Sequence, residues 1–349
     1  MERTTKSTPL SQQMKNRVNE KREEKEEYDG DFGTIISTGS TLLDLALSGG
    51  RVRGGGLPGG ILVEIFGPSG SGKTVLLSEI AGGVQRQGGD LIFYDPEARL
   101  NEQFAKLFGL ELKEGMYKVP NKIPEVFSAV RKWEPVGKGD VHGICADSLA
   151  ALSTDMEMDN EEGDKMGQRR AKEFSEQLRK TCRIIKQKNY LMVCSNQVRQ
   201  NMDAGAYGQK YVAPGGEAMG FYASVRLRFA RAEKIYEKHT YQGKEVKRVI
   251  GVEVETEVFK SSIWKPFHKA PITIIFDYGI DDIRQNLQFI KDYSKQSVYT
   301  LGGQSLDKSM LEAIKIIEED KLEVELKEEV INLWEDIESK FKQERKPKR

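Results

Sequence analysis

The chain of 349 residues carries 54 Lys+Arg against 54 Asp+Glu, so its formal net charge is zero. A uniformly basic nucleic-acid coat and an acidic solvating tail are both excluded as the whole of its chemistry, because the far field of either needs an imbalance of charge. With 38% hydrophobic residues, 34 glycines and a length of roughly two domains at ~150 residues each, the composition is that of a globular protein with a substantial core. Cys145, Cys182 and Cys194 include no C-x-x-C pair, which argues against a disulfide framework and against a zinc ribbon. His142, His239 and His268 are too scattered along the chain to imply a metal cluster. No window approaches the ~18 uninterrupted apolar residues of a membrane span and the polar start is no signal peptide, so a cytoplasmic protein with no membrane partner is expected.

Residues 1–33 read as an N-terminal arm, and its first 30 residues hold seven basic and seven acidic side chains. Leu10, Met14 and Val18 share one helix face, which reads either as a short helix that docks on a partner or as part of a solvated arm. From residue 34 to 280 apolar runs alternate with helical stretches. Gly60–Gly67, Asp90–Asp95, Val141–Asp147 and Tyr190–Asn196 read as strands; Lys73–Gln87, Asn101–Phe108 and Lys165–Lys186 read as helices. That alternation predicts β-α-β units and a mostly parallel sheet. Val225–Glu233, Val249–Phe259 and Pro271–Tyr278 then follow one another without helices, which predicts an antiparallel extension of the same sheet.

After Gly279 the chain turns helical and charged. Leu322, Leu326, Val330, Leu333, Trp334, Ile337 and Phe341 recur at steps of three and four, which predicts a helix of about five turns with one apolar face. This is either a small C-terminal α+β domain over 281–342 or a helix packed back on the first domain. Residues 343–349 form a basic tail; the last ten residues hold six basic side chains and one acid.

Gly67-Pro-Ser-Gly-Ser-Gly-Lys-Thr74 satisfies G-x-x-x-x-G-K-[ST] between a predicted strand and a predicted helix, the context that the phosphate-binding P-loop requires. Gly67, Pro68, Ser69, Gly70, Ser71 and Gly72 would wrap backbone N–H groups around phosphate oxygens. Lys73 would reach the β- and γ-phosphates of ATP, and the Thr74 hydroxyl would ligate Mg2+. Asp147 emerges at the carboxyl end of an apolar strand, a Walker B position that supports the metal. Glu97, in Asp95-Pro-Glu97, lies on the same sheet edge. Its carboxylate reads equally as a base for the attacking water and as a helix N-terminal charge.

Together with their neighbours these motifs resemble the RecA family of DNA recombinases. The resemblance is carried by Ile36–Ser40 with Leu43–Leu47, Gly56–Gly60, Val63–Pro68, Asp147–Leu152, Ser195–Arg199, and Gly215-Gly216 through Phe221–Arg226, in family order. It runs from about residue 34 to 280 and more weakly to about 340. It implies an α/β P-loop ATPase core that polymerises with itself as a helical filament on single-stranded DNA and pairs it with homologous duplex DNA, with help from loader or mediator proteins. It also implies that Glu97 is the catalytic glutamate, Phe104 stacks on adenine, Asn101 reads the base edge and Gln197 senses the γ-phosphate.

Two segments match the family's DNA-binding loops. The first, Thr154–Gly167 with Met166, Arg169 and Arg170 at its end, carries six acids from Asp155 to Asp164, so only that end is expected at DNA. The second, Val198–Pro214, contains Arg199 and Lys210 and runs into Gly215-Gly216. Lys260 matches the first of two lysines that reach a neighbouring subunit's nucleotide; the second falls on Ser262, with Lys265 displaced by three residues. Phe221 matches an interface aromatic. A ring helicase or accessory ATPase on the same core, and a non-hydrolysing mediator that binds single strands, are the alternative readings.

Overall fold

The computed structural model describes residues 32–154, 166–197, 199–200, 211–212, 217–343 and 345. The Leu10, Met14, Val18 stripe, most of the segment expected to form the first DNA-binding loop, Lys210, Gly215, Gly216 and the Lys346–Arg349 tail lie outside the described residues, as do the side chains of Met166, Arg169 and Arg199.

The fold is built around Ile61–Gly67 (β1), all seven residues of which are buried. A strand with no polar alternation fits only where helices cover both faces of the sheet. Helices and strands alternate after it: Lys73–Arg86 (α2), Leu91–Tyr94 (β2), Glu102–Leu107 (α3), Tyr117–Lys118 (β3), Ile123–Lys132 (α4), His142–Ala146 (β4), Met166–Gln187 (α5), Tyr190–Gln197 (β5), Glu217–Tyr222 (α6) and Val225–Phe229 (β6). Thr41–Ser48 (α1) precedes them, with Ser40 as its N-cap. The six strands pair in parallel in the order β6-β1-β5-β4-β2-β3.

Side-chain alternation sorts the core into two halves. Val63, Ile65, Leu91 and Phe93 enter one buried cluster with α1 and α2, whereas Leu62, Ile92 and Tyr94 enter the other with α4 and α5. The period of two along each strand is what sends successive residues to opposite faces.

Glu233–Tyr241 (β7), Lys244–Ser261 (β8), Lys269–Ile275 (β9) and Gly279–Ile280 (β10) extend the sheet in antiparallel fashion. Two sequence expectations change here. The run Val225–Glu233 is not one strand of the extension: Val225–Phe229 pairs in parallel with β1 and so closes the parallel part. The hairpin of β7 with the first half of β8 has no counterpart in the sequence expectation, because most of its side chains are exposed on both faces and leave no period-two apolar signal. Gln242 and Gly243, both at positive φ, make its turn.

Asp282–Ser294 (α7), Met310–Glu319 (α8) and Glu323–Ser339 (α9) complete the described chain, with a small ladder of Thr300–Leu301 on Gln304–Ser305 between the first two. Leu287, Ile317, Leu326, Val330 and Trp334 belong to the same buried cluster as β1 and α2. Trp334 also meets Trp264 at 5.5 Å between ring centroids. Phe341 does not continue the apolar face: the helix ends at Ser339, and Phe341 is 68% exposed. The strong ion pairs of Arg53 with Glu328 (2.9 Å) and Glu335 (2.7 Å) tie α9 to the segment after α1.

Candidate active site

Parallel pairing places the carboxyl ends of β1, β5, β4 and β2 on one edge of the sheet, where loops leave for the helices. Gly67 and Gln197 are register partners at the ends of β1 and β5. Between them and the β9–β10 hairpin lies a cavity of about 510 Å³. Its floor is Ser69, Gly70, Ser71, Gly72, Lys73 and Thr74; Glu97, Asp147 and Gln197 reach it from three other strand ends.

The loop is tied to itself. Gly70 (φ 71°) and Gly72 (φ 85°) take left-handed backbone that side chains resist. The Ser71 hydroxyl donates to the Pro68 carbonyl at 2.8 Å, and the Lys73 ammonium donates to Pro68 (2.6 Å) and Gly67 (3.2 Å) carbonyls. Burial lowers the Lys73 pKa, and the carboxylates of Asp147 and Glu97 oppose that shift. All three groups line the same cavity.

Thr74 Oγ1 donates to Asp147 Oδ2 at 2.5 Å, and the Ser195 hydroxyl donates to Asp147 Oδ1. The donor set of hydroxyls and carboxylate is all oxygen, which suits a hard divalent cation such as Mg2+. Asp95 and Glu97 divide their work. Asp95, 2% exposed, accepts from the backbone N–H groups of Arg99 (2.7 Å) and Leu100 (2.8 Å) and from the Tyr117 hydroxyl (2.9 Å). Those bonds fix the turn that presents Glu97, whose carboxylate pairs with Arg99 at 3.0 Å.

Phe104 lines the cavity and packs edge-on against Phe108 at 4.7 Å. Asn101 takes another place: its side chain is the N-cap of α3, accepting from the Phe104 N–H at 2.8 Å, and it is not among the cavity-lining residues. Arg99, Ser195, Phe276, Asp277 and Gly279 also line the cavity. Sequence reading passed over them, although Ser195 opens one of the quoted signatures.

Away from the cavity, Arg170 turns inward. Its guanidinium donates to the carbonyls of Leu149 (3.1 Å) and Ala150 (2.5 Å) and lies 5.9 Å from the Phe174 ring centroid. Arg199 and Gln200 pair with Val212 and Tyr211, so the two ends of the second loop meet in a short antiparallel ladder. Lys260 donates to the carbonyls of Gly220 (2.8 Å) and Phe221 (3.0 Å), and Phe221 is 77% exposed. Lys260 and Phe221 thus share one surface, whereas the Lys265 ammonium sits 5.5 Å from the Trp264 ring centroid. Ser262 donates to the Ser224 carbonyl at 3.2 Å.

A buried network stands behind this edge. Glu64, fully buried on β1, accepts from Arg226 Nε (2.6 Å) and Asn196 Nδ2 (3.0 Å), and Arg226 lies over the Phe66 ring at 4.6 Å. It joins β1, β5 and β6 just before the residues that enter the site.

A strand-loop-helix phosphate cradle, a carboxylate at the next strand end and a doubly covered parallel sheet define a P-loop α/β protein. The comparisons narrow the class. The RecA N-terminal domain family matches residues 23–281. "Protein RecA" of Delftia acidovorans is 35% identical over 246 residues, 70% of this chain and 63% of that protein. "Protein RecA" of Thermus thermophilus is 34% identical over 252 residues, 71% of this chain and 69% of that protein. The chain belongs to the RecA family. Among the described residues no helix is long and apolar enough to cross a membrane.

Proposed function

We propose that the protein is an ATP-dependent DNA recombinase that assembles on single-stranded DNA, pairs it with a homologous duplex and exchanges strands. The observation that carries the reading is the convergence of Lys73, Thr74, Glu97, Asp147 and Gln197, from four strand ends, on one cavity sized for a nucleotide. Thr74 and Asp147 would hold Mg2+, which supplies charge neutralisation on the phosphates. The Gly67–Thr74 loop and Lys73 bind and orient the triphosphate. Glu97, paired with Arg99, orients a water and accepts its proton.

Gln197 couples this chemistry to DNA. Its amide sits at the cavity, and two residues later the chain enters the ladder that closes the second loop. A side chain that bonds differently to ATP and ADP would bias the arrangement of that loop. Phe221 with Lys260 forms the surface for the next subunit, whose nucleotide Lys260 reaches. Arg170 is a brace of the segment after β4, so contacts to DNA from the first loop rest on Met166 and Arg169.

ATP turnover measured with and without single-stranded DNA tests the reading, with electron microscopy of the same mixtures. The expected outcome is DNA-stimulated hydrolysis and filaments with ATP and Mg2+. Duplex unwinding on a forked substrate would point to the helicase reading, and binding without stimulated turnover to the mediator.

A further inference from the structure

Arg99 is the cation at the cavity to which no role beyond its pairing with Glu97 has been given. Its guanidinium meets Glu97 through Nη1 at 3.0 Å, and its side chain is 67% exposed. An exposed pair of that kind contributes about 0–1 kcal/mol to stability, so folding gives little reason for a guanidinium here. Its place is nevertheless fixed. The Arg99 N–H donates to Asp95 Oδ2 at 2.7 Å, the Ala98 N–H donates to the Asp95 carbonyl at 3.1 Å, and Ala98 takes a left-handed φ of 51°. The side chain therefore leaves a turn anchored on the buried Asp95, just past the carboxyl end of β2.

The charges around it favour a second cation. Among the described residues that line the cavity, Lys73 and Arg99 are the cations, against the carboxylates of Glu97, Asp147 and Asp277. A triphosphate adds further negative charge, and its γ-phosphate meets the like charge of Glu97, the group that holds the attacking water. As the partner of Glu97, Arg99 stands at that same end of the nucleotide. A guanidinium is a planar fork of five N–H donors that matches phosphate geometry. Glu97 engages Nη1, which leaves Nη2 and Nε for phosphate oxygens without giving up the carboxylate.

We propose that Arg99 is a further catalytic residue, which holds Glu97 through Nη1 and donates to the γ-phosphate oxygens of the ATP bound by its own chain. As the water oxygen bonds to the γ-phosphorus, the bond to the β,γ-bridging oxygen breaks, the water proton passes to Glu97 and the electron pair leaves with ADP. Negative charge is then spread over the equatorial oxygens, where a guanidinium already in place stabilises it most strongly. The proposal rests on the nucleotide reading above and adds the group that meets the transferred phosphoryl.

The test is equilibrium binding of ADP, and of ADP with aluminium fluoride as a mimic of the transferred phosphoryl, with Mg2+ and single-stranded DNA present and phosphate release measured alongside. The proteins are the full chain, Arg99→Ala, Glu97→Gln and the double variant. Arg99→Ala is expected to lower turnover about 10²–10³-fold and to weaken the fluoride complex about tenfold or more, while ADP affinity changes by less than about twofold. The weakening should recur when Arg99→Ala is added to Glu97→Gln, because the contact is made to phosphate and not through Glu97. Arg99→Lys, which keeps the charge without the fork, should lie between and gives a second measure if the alanine variant folds poorly. A fluoride complex that Arg99→Ala leaves unchanged, a loss shared equally by ADP, or a loss that disappears alongside Glu97→Gln overturns the proposal and leaves the nucleotide site standing. Failure of the wild type to bind ADP overturns both.

Discussion

Replacing Arg226 by Met removes the cation that compensates Glu64 while keeping an apolar stem over Phe66. Glu64 is fully buried and Arg226 is 19% exposed at the side chain, so the two partners are not equivalent. After Arg226→Met the carboxylate keeps only the Asn196 amide at 3.0 Å. An uncompensated buried charge costs about 3–5 kcal/mol, a large share of the 5–15 kcal/mol typical of folded proteins. Glu64→Gln instead leaves Arg226 able to reach water, and the cost is about 1–2 kcal/mol. In the double variant no buried charge remains, so most of the Arg226→Met loss should be recovered relative to simple addition. Urea unfolding of the four proteins, compared by midpoint at constant slope, measures the cycle. The reasoning is refuted if Glu64→Gln costs as much as Arg226→Met, or if Arg226→Met costs less than about 1 kcal/mol.

Other perturbations separate chemistry from architecture. Glu97→Gln should lower hydrolysis by about 10²–10⁴ and leave nucleotide affinity nearly unchanged, which phosphate release and equilibrium binding together report. Lys73→Ala should lose binding itself, because among the described residues no other lysine lines the cavity. Arg170→Ala should cost about 1–3 kcal/mol in unfolding experiments without any DNA, since the Ala150 carbonyl loses its donor and the Leu149 carbonyl keeps only the Leu152 N–H; native stability with weakened DNA binding would place Arg170 at DNA instead. Glu79, on α2, is pushed up to about 7 by burial, with Asp282 adding to the shift and the Ile280 N–H and Arg86 opposing it. The folded state therefore holds this proton more tightly than the unfolded chain, so its contribution is present at pH 4 and lost as pH rises through 7. Glu79→Gln should flatten the fall in melting temperature between pH 5 and 8; an unchanged slope would show that Glu79 is not its source.

What was legible in the sequence had its chemistry contiguous. The P-loop, the apolar strands and the carboxylates at their ends are each spelled by neighbouring residues, and the parallel topology brings those ends together. Three features were hidden for physical reasons. The β7–β8 hairpin is solvated on both faces, so no apolar alternation marks it. Phe276 and Asp277 share a cavity with the P-loop only because the antiparallel extension folds back over it, bringing residues about two hundred positions apart to one place. Arg170 lies in a charge-rich stretch where spacing cannot tell an inward guanidinium from a solvated one. Asn101 shows the reverse case: an Asn three residues before Phe104 is an N-cap signature, and the structure uses it as one.

The central claim is strand exchange driven by nucleotide-gated assembly. A labelled single strand incubated with homologous duplex, this protein, Mg2+ and either ATP or a non-hydrolysable analogue measures it directly. The expected result is joint molecules with both nucleotides, release of completed products with ATP alone, and neither without nucleotide or with a heterologous duplex. Pairing that ignores nucleotide or homology would contradict the account.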